Sequence, residues 1–193
     1  MIDLRALREK PTLHGKRVRL VPLSLDHAPD VYRSVLDEET RRLTGTHHEF
    51  TWEEIEEWCR TRPDQPDRLD LAVLEEPTGR FAGELSLADV NPDNESASYR
   101  IALSSSEFTD RGLGKESTRL VLSYAFDVIG LHRVGLDVYA FNMRAVAAYR
   151  ACGFSIEGRL REALYWEGRW HDTLVMGVLD KEFRAQENTE LSE

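Results

Sequence analysis

"FTDRGLGKES" (Phe108–Ser117) sets Gly112 and Gly114 between a run that alternates like a strand and a run that repeats like a helix. A strand, a glycine turn and a helix in that order leave backbone N–H groups free at the positive end of a helix. Such a turn can receive an anionic group. Glycine at 112 and 114 allows close approach of that group, or dihedrals that a Cβ would forbid. Two phosphate-binding patterns fail here. G-x-x-x-x-G-K-[ST] meets Thr109 at its first glycine and Glu116 after Lys115. G-x-G-x-x-G meets Ser117 at its third glycine, and the turn lies past the middle of the chain. Taken alone, the stretch also reads as an ordinary glycine turn.

Upstream of the turn, "KRVRLVPL" (16–23), "RLDLAVLEE" (68–76), "GRFAGELSLADV" (79–90) and "SASYRIALSS" (96–105) read as strands. The last three are separated by "EPTG" and "NPDN", turn chemistry short enough for an antiparallel meander. "SLDHAPDVYRSVLD" (24–37) reads as a helix capped by Ser24 or Asp26, with Pro29 in its first turn. "TWEEIEEWCRTRP" (51–63) opens with the capping box Thr51/Glu54 and ends at Pro63, with Trp52, Ile55, Trp58 and Cys59 on one face. The first dozen residues read as a short helix or a loose arm.

Downstream, "KESTRLVLSYAFDVIG" (115–130) predicts a helix with Leu120, Tyr124 and Val128 inward and Gly130 as its stop. "HRVGLDVYA" (132–140) is a strand. Asn142 caps a helix whose inward stripe is Ala145, Val146, Tyr149 and Cys152, and Gly153 ends it. Two closing strands meet at Glu167-Gly168, a hairpin signal. "RAQENTELSE" (184–193) is polar and reads as a frayed tail. A meander, one β–α–β unit and a closing hairpin predict an α/β mixed sheet with helices on both faces. The length of 193 residues suits one domain, with its core over about 16–183.

With 35 acidic against 25 basic side chains, the chain lacks the basic footprint of a nucleic-acid partner, and its charge suits a cationic one. No apolar run approaches the roughly 18 residues of a membrane span. "MIDLRALREKP" has no continuous apolar core, so no leader is expected. Cys59 and Cys152 stand far apart, which suits a reducing, cytoplasmic setting. His47, His48 and Cys59 lack a second close ligand pair, so no metal is expected. His171-Asp172 has no G-x-S-x-G elbow beside it and reads as shaping the hairpin or the mouth of a site. Trp166 and Trp170 are the better pocket-wall candidates among the tryptophans.

Three ordered motifs carry a family resemblance: R-G-L-G-x-E (Arg111–Glu116), N-x-x-A-x-x-x-Y-x-x-x-G-F (Asn142–Phe154) and "EGRWHD" (167–172). Over roughly 16–183 the chain resembles the GNAT acetyltransferases, and within them the ribosomal-protein N-terminal acetyltransferase type. That branch also includes many small-molecule N-acetyltransferases. The resemblance implies a GNAT fold with splayed parallel strands, acetyl-coenzyme A as co-substrate, and a primary amine as acceptor. A catalytically idle coenzyme A-binding module is the alternative, and a homodimer is an open expectation.

The resemblance further implies that Thr109, Arg111, Gly112, Leu113, Gly114, Lys115 and Glu116 cradle the pyrophosphate. Leu103, Ser104, Asn142, Ala145 and Tyr149 would line the pantetheine path, with a backbone N–H around Ile101–Leu103 as oxyanion donor. Tyr149 falls where the family keeps the tyrosine that faces the cofactor sulfur; from spacing alone it equally fits a core stripe. A base is needed because an amine near pKa 10 is mostly protonated at neutral pH. Asp137, Glu84 and a water relay all remain open for that role. The chain departs from the family's [QR]-x-x-G-x-[GA] pattern at Thr109, and from its frequent glycine at Asp110.

Overall fold

The computed structural model describes residues 2–190. In chain order these form α1 (Arg5–Arg8), β1 (Leu13–His14), β2 (Val18–Pro22), α2 (Ala28–Leu36), α3 (Glu38–Thr44), α4 (Trp52–Thr61), β3 (Leu69–Glu75), β4 (Arg80–Asn91), β5 (Ser96–Leu103), α5 (Leu113–Tyr124), β6 (Arg133–Tyr139), α6 (Met143–Arg150), β7 (Ser155–Trp166), β8 (Arg169–Leu179) and α7 (Asp180–Glu190). One eight-stranded sheet has the order β1-β2-β3-β4-β5-β6-β8-β7. Every neighbouring pair is antiparallel except β5 and β6. The mixed α/β fold, the meander, the β–α–β unit and the closing hairpin all follow the sequence expectation.

Strand alternation sends side chains to two cores, one on each face. On one face Leu71, Leu85, Leu87 and Tyr99 pack with Val121, Leu122, Ala125 and Phe126 of the α5 segment. On the other, Ala72 and Phe81 pack with Val31 of α2 and Ile55 and Cys59 of α4. Both helices of that second layer have the caps the sequence offers. Thr51 accepts from the Glu54 amide while the Glu54 carboxylate accepts from the Thr51 amide. Ser24 caps a short 3₁₀ turn (Leu25–His27), which leaves Pro29 in the first turn of α2. Glu167 and Gly168 both take left-handed dihedrals, φ 47° and 78°, as a tight hairpin turn requires.

Two expectations need correction, and one helix was not anticipated. Val128 is half exposed, and the buried stripe runs instead through Val121, Leu122, Ala125, Phe126 and Ile129. A single wide π-type turn (Ala125–Ile129) ends this helix, so a spacing of four drifts off the buried face. The polar stretch from Arg184 continues α7 as far as Glu190 rather than fraying, because Phe183 is buried against Phe126 and anchors the helix; 191–193 lie outside the described residues. Helix α3 had no apolar stripe to announce it. It is held by Asp37, whose carboxylate accepts from the amide and hydroxyl of Thr40 at 2.8 and 2.7 Å.

The parallel pair decides where a site can form. Strands β5 and β6 pair over Ser96–Ser98 against Arg133–Gly135 and then part. Beyond Ser98, β5 stays paired with β4 on its other edge, and β6 stays paired with β8. The gap therefore exposes the β6-facing backbone edge of Tyr99–Leu103.

Candidate active site

The gap opens a cleft of about 1210 Å³. It begins at the glycine turn (Thr109, Asp110, Gly112–Lys115), follows Ser98–Leu103 and Gly135–Tyr139, and ends beneath α3 at Glu39, Thr40 and Thr44. Asn142, Arg144, Ala145 and Tyr149 of the α6 segment form one wall.

At the turn, Gly112 is the N-cap of α5, with φ 79° and ψ 0°, and no side chain caps the helix. The first-turn amides of α5 are thus left for a ligand, at the positive end of the helix. The turn is braced from behind. The Tyr99 hydroxyl donates to Thr118 Oγ1 at 2.9 Å, and Thr118 donates to the Gly114 carbonyl at 2.8 Å. Thr109 donates its hydroxyl to the Ser106 carbonyl at 2.7 Å, which closes the 3₁₀ turn before the glycines.

Tyr149 is buried at 8 % exposure, with its ring edge-on to Tyr99 and Phe154 at 6.4 and 5.7 Å between centroids. Its hydroxyl has no hydrogen-bond partner among the described residues, although the side chain lines the cleft. Burial pushes its pKa well above the ordinary phenol value, with nearby Cys152 adding and Arg100 opposing, so the phenol stays protonated at neutral pH.

The two carboxyl candidates separate. Asp137 is exposed and lines the cleft, while Leu136 and Val138 on either side of it are buried on the opposite face. Glu84 does not line the cleft. It faces the α2–α4 layer, its Oε2 is buried with no hydrogen-bond partner among the described residues, and burial raises its pKa. Arg100 opposes that rise; burial, with Glu84 adding, pushes Cys59 up to about 12.

Among the expected cofactor residues, Leu103, Thr109, Gly112, Leu113, Gly114, Lys115, Asn142, Ala145 and Tyr149 come together along the cleft. Ser104, Arg111 and Glu116 do not. The Ser104 amide donates to the Ala82 carbonyl at 2.9 Å, which prolongs the ladder with β4. Arg111 turns away to the buried carboxylate of Glu75. The Glu116 carboxylate accepts from the amides of Lys16 and Arg17 and so ties α5 to the β1–β2 turn. Asp110 turns outward at φ 57°, with Arg144 of α6 3.6 Å away.

These features coincide with a known family, whose acetyltransferase (GNAT) domain matches residues 17–155. The chain belongs to the GNAT acetyltransferases. It is 28% identical over 123 residues to the spermidine N(1)-acetyltransferase of Escherichia coli K12, an alignment covering 64% of this chain and 66% of that one. It is 30% identical over 134 residues to the Bacillus subtilis protein named "Putative ribosomal N-acetyltransferase YdaF", covering 68% and 70%. The fold matches the spermidine N-acetyltransferase of Vibrio cholerae solved with CoA and spermine. That match has a TM-score of 0.81 at 22% identity and covers 88% of this chain and 99% of that one.

Against this GNAT frame, sequence reasoning missed Arg144, Arg100 and the cleft-lining part of α3. Arg144 carried a readable signal, a cation two residues after the Asn142 cap and beside an expected anion site. Arg100 and α3 carried none, because they reach the cleft through sheet register and through a polar helix without periodicity. His171-Asp172 has the shaping role expected of it. Asp172 accepts from the Glu162 amide at 2.7 Å and from Arg159, pinning a bulge at 161–163 of β7.

Proposed function

We propose that residues 16–183 act as one acetyl-coenzyme A-dependent N-acetyltransferase domain. It transfers an acetyl group to a primary amine, on a protein N-terminus or a small molecule, by direct attack in a ternary complex. The observation that carries this reading is the parting of β5 and β6 after Ser98, with the unpartnered Tyr149 hydroxyl on the wall of the gap. The splay offers an unpaired backbone edge to a ligand rich in amides, and the Gly112 turn offers amides to its pyrophosphate.

The co-substrate supplies an acetyl group activated by a thiol leaving group. Lys115 and the first-turn amides of α5 hold its phosphates, and the edge of Tyr99–Leu103 orients its arm. A backbone N–H of Ile101–Leu103 donates to the developing oxyanion. Asp137 takes a proton from the acceptor ammonium, directly or through water, which frees the nitrogen lone pair. The C–N bond forms, the C–S bond breaks, the Tyr149 O–H donates to the departing sulfur, and the second proton lost by the acylated nitrogen returns, through water, to the Tyr149 phenolate. Glu39, Asp89 and Asp137 put carboxylates along the cleft, which suits an amine that arrives as a cation. The names of the Escherichia coli and Vibrio cholerae relatives also speak for amine acceptors. Two cysteines in all, Cys59 and Cys152, both buried and far apart in the chain, fit a reducing compartment, and the proposal places the enzyme in the cytoplasm.

The test is thiol release from acetyl-coenzyme A over a panel of N-terminal peptides, polyamines and aminoglycosides. Release with at least one amine supports the reading. Tight binding of coenzyme A without release from any acceptor supports an idle binding module instead. Thermal stabilisation by ATP or NAD, but not by acetyl-coenzyme A, refutes both.

A further inference from the structure

Next to the acceptor end of the cleft lies a second recess of about 260 Å³, walled by Arg42, Phe141, Trp166, Glu167, Arg169 and His171. One ring stack separates it from the cleft. Tyr139, a cleft residue, stacks on Phe141, a recess residue, at 5.7 Å and 11° between ring planes. The walls are held from both sides. His171 meets Phe141 edge-on at 4.9 Å, and His47 packs on Trp166 at 4.8 Å. Arg41 fixes the loop that carries His47 by donating to the His47 carbonyl at 3.1 Å. Gly45, at φ 63°, lets the Tyr139 hydroxyl approach so closely that a Cβ there would lie 2.1 Å from it.

The polar chemistry of this recess is lopsided. Two guanidiniums face one carboxylate, Glu167. Arg42 lies over the Phe141 ring at 5.2 Å, and neither Arg42 nor Arg169 has an ion-pair partner among the described residues. The Trp166 indole N–H is buried with no acceptor among the described residues. Two guanidiniums without ion-pair partners between aromatic walls suit a planar anion, which arginine binds through two parallel N–H bonds. A cationic group such as an ammonium would meet two like charges there.

We propose that this recess is an acceptor subsite for a carboxylate, so that the substrate is an amine that also carries a carboxylate, such as a short peptide or amino-acid derivative. This rests on the acetyltransferase reading above, because the amine end is placed at Asp137. Asp137 and Phe141 are four positions apart, a span of at most about 13 Å at strand rise. Three or four extended residues cover that distance. The subsite separates this chain from an enzyme for simple polyamines, which have no anionic group to place.

The test uses glycyl-alanyl-alanine and its C-terminal amide as matched acceptors in the thiol-release assay. The free carboxylate is expected to lower KM about tenfold relative to the amide, the worth of one charge-assisted hydrogen bond. The variant Arg42→Gln/Arg169→Gln is expected to erase that difference, while leaving kcat/KM for the amide and KM for acetyl-coenzyme A within about twofold of wild type. Equal KM values in the wild type, or a preference that survives in the double variant, overturn the subsite. If neither peptide releases thiol, the acetyltransferase reading fails for this acceptor class, and calorimetry of the N-acetylated peptides then decides the recess. Carboxylate-dependent binding that is lost in the double variant sustains it; absence of such binding overturns it.

Discussion

Replacing Tyr149 with Phe tests the chemistry with little disturbance to the fold. The ring is buried against Tyr99 and Phe154, and phenylalanine keeps those contacts. The hydroxyl that is lost has no partner among the described residues, so no group is orphaned by its removal. Stability should therefore change by less than about 1 kcal/mol, a shift of roughly 2–4 °C in Tm for a chain of this size. Turnover should respond far more. General acids contribute about 10²–10⁴-fold. Burial raises the Tyr149 pKa well above the ordinary phenol, which makes it a weaker acid, so the effect should lie near the lower end, about 100-fold in kcat. That corresponds to roughly 2.7 kcal/mol of barrier. KM for acetyl-coenzyme A should stay within about twofold, because the loss falls on the transition state. The assay is thiol release at saturating acceptor, alongside calorimetric titration with acetyl-coenzyme A and a thermal melt. A variant with wild-type kcat would refute the role given to this hydroxyl. A loss of several kcal/mol in stability would show that the hydroxyl belongs to the fold instead.

Asp137→Asn should remove the acid limb of the kcat/KM profile, and a limb that survives moves the base to water, because Glu84 lies outside the cleft. Glu84→Gln tests the buried carboxyl through stability: its folded pKa lies above the unfolded value of 4.5, so the native state holds the proton more tightly. Wild-type stability should then fall as pH rises above about 4.5, by up to roughly 1.4 kcal/mol per pH unit, and the variant should flatten that slope and match or exceed wild type at pH 7 in urea unfolding; a variant clearly weaker at pH 7 contradicts this. Gly112→Ala puts a Cβ at a left-handed residue, 2.7 Å from the Arg17 guanidinium. It should cost about 1–2 kcal/mol of stability and raise KM for acetyl-coenzyme A about tenfold or more, and unchanged KM would remove the turn from the phosphate site.

Much of this architecture could be read from the sequence because local chemistry and global position agree there. The Thr51/Glu54 box, the Glu167-Gly168 turn and the alternation of 68–105 each specify an element that tertiary packing then keeps. Reading failed where position depends on partners distant in sequence. Val128 matches a helical spacing, yet a wide turn near the helix end rotates it into solvent. The seven residues of α3 carry no apolar stripe, so their helix rests on the Asp37 cap and on packing. Within the site, the glycines and Tyr149 announce themselves by motif. The fate of a charged side chain does not, because it depends on which counter-charge the fold brings near. Glu116 sits inside the motif and still serves the β1–β2 turn, a hundred residues away in the chain.

The two irregular positions of the glycine turn, Thr109 and Asp110, are explained by the same distinction between backbone and charge. Thr109 closes the preceding 3₁₀ turn with its hydroxyl, a local bond of the kind short hydroxyl side chains make in turns. Asp110 occupies a left-handed conformation, which aspartate tolerates better than most residues, so the backbone keeps the path that glycine usually provides. Its carboxylate, 76 % exposed, points to Arg144 rather than to the amides of α5. An ion pair that exposed contributes at most about 1 kcal/mol, too little to hold α5 and α6 together. Its consequence is electrostatic: a negative charge just before the helix N-terminus is met by a cation on the opposite wall. Arg111, which the motif offers as that cation, is committed to Glu75, a carboxylate that would otherwise be buried without a charged partner. The positive charge at the turn therefore comes from Lys115, from Arg17 beside Gly112 and from Arg144 of the neighbouring helix. In the proposed enzyme the turn would hold its anion through the backbone amides of α5 and side-chain charge from neighbouring elements.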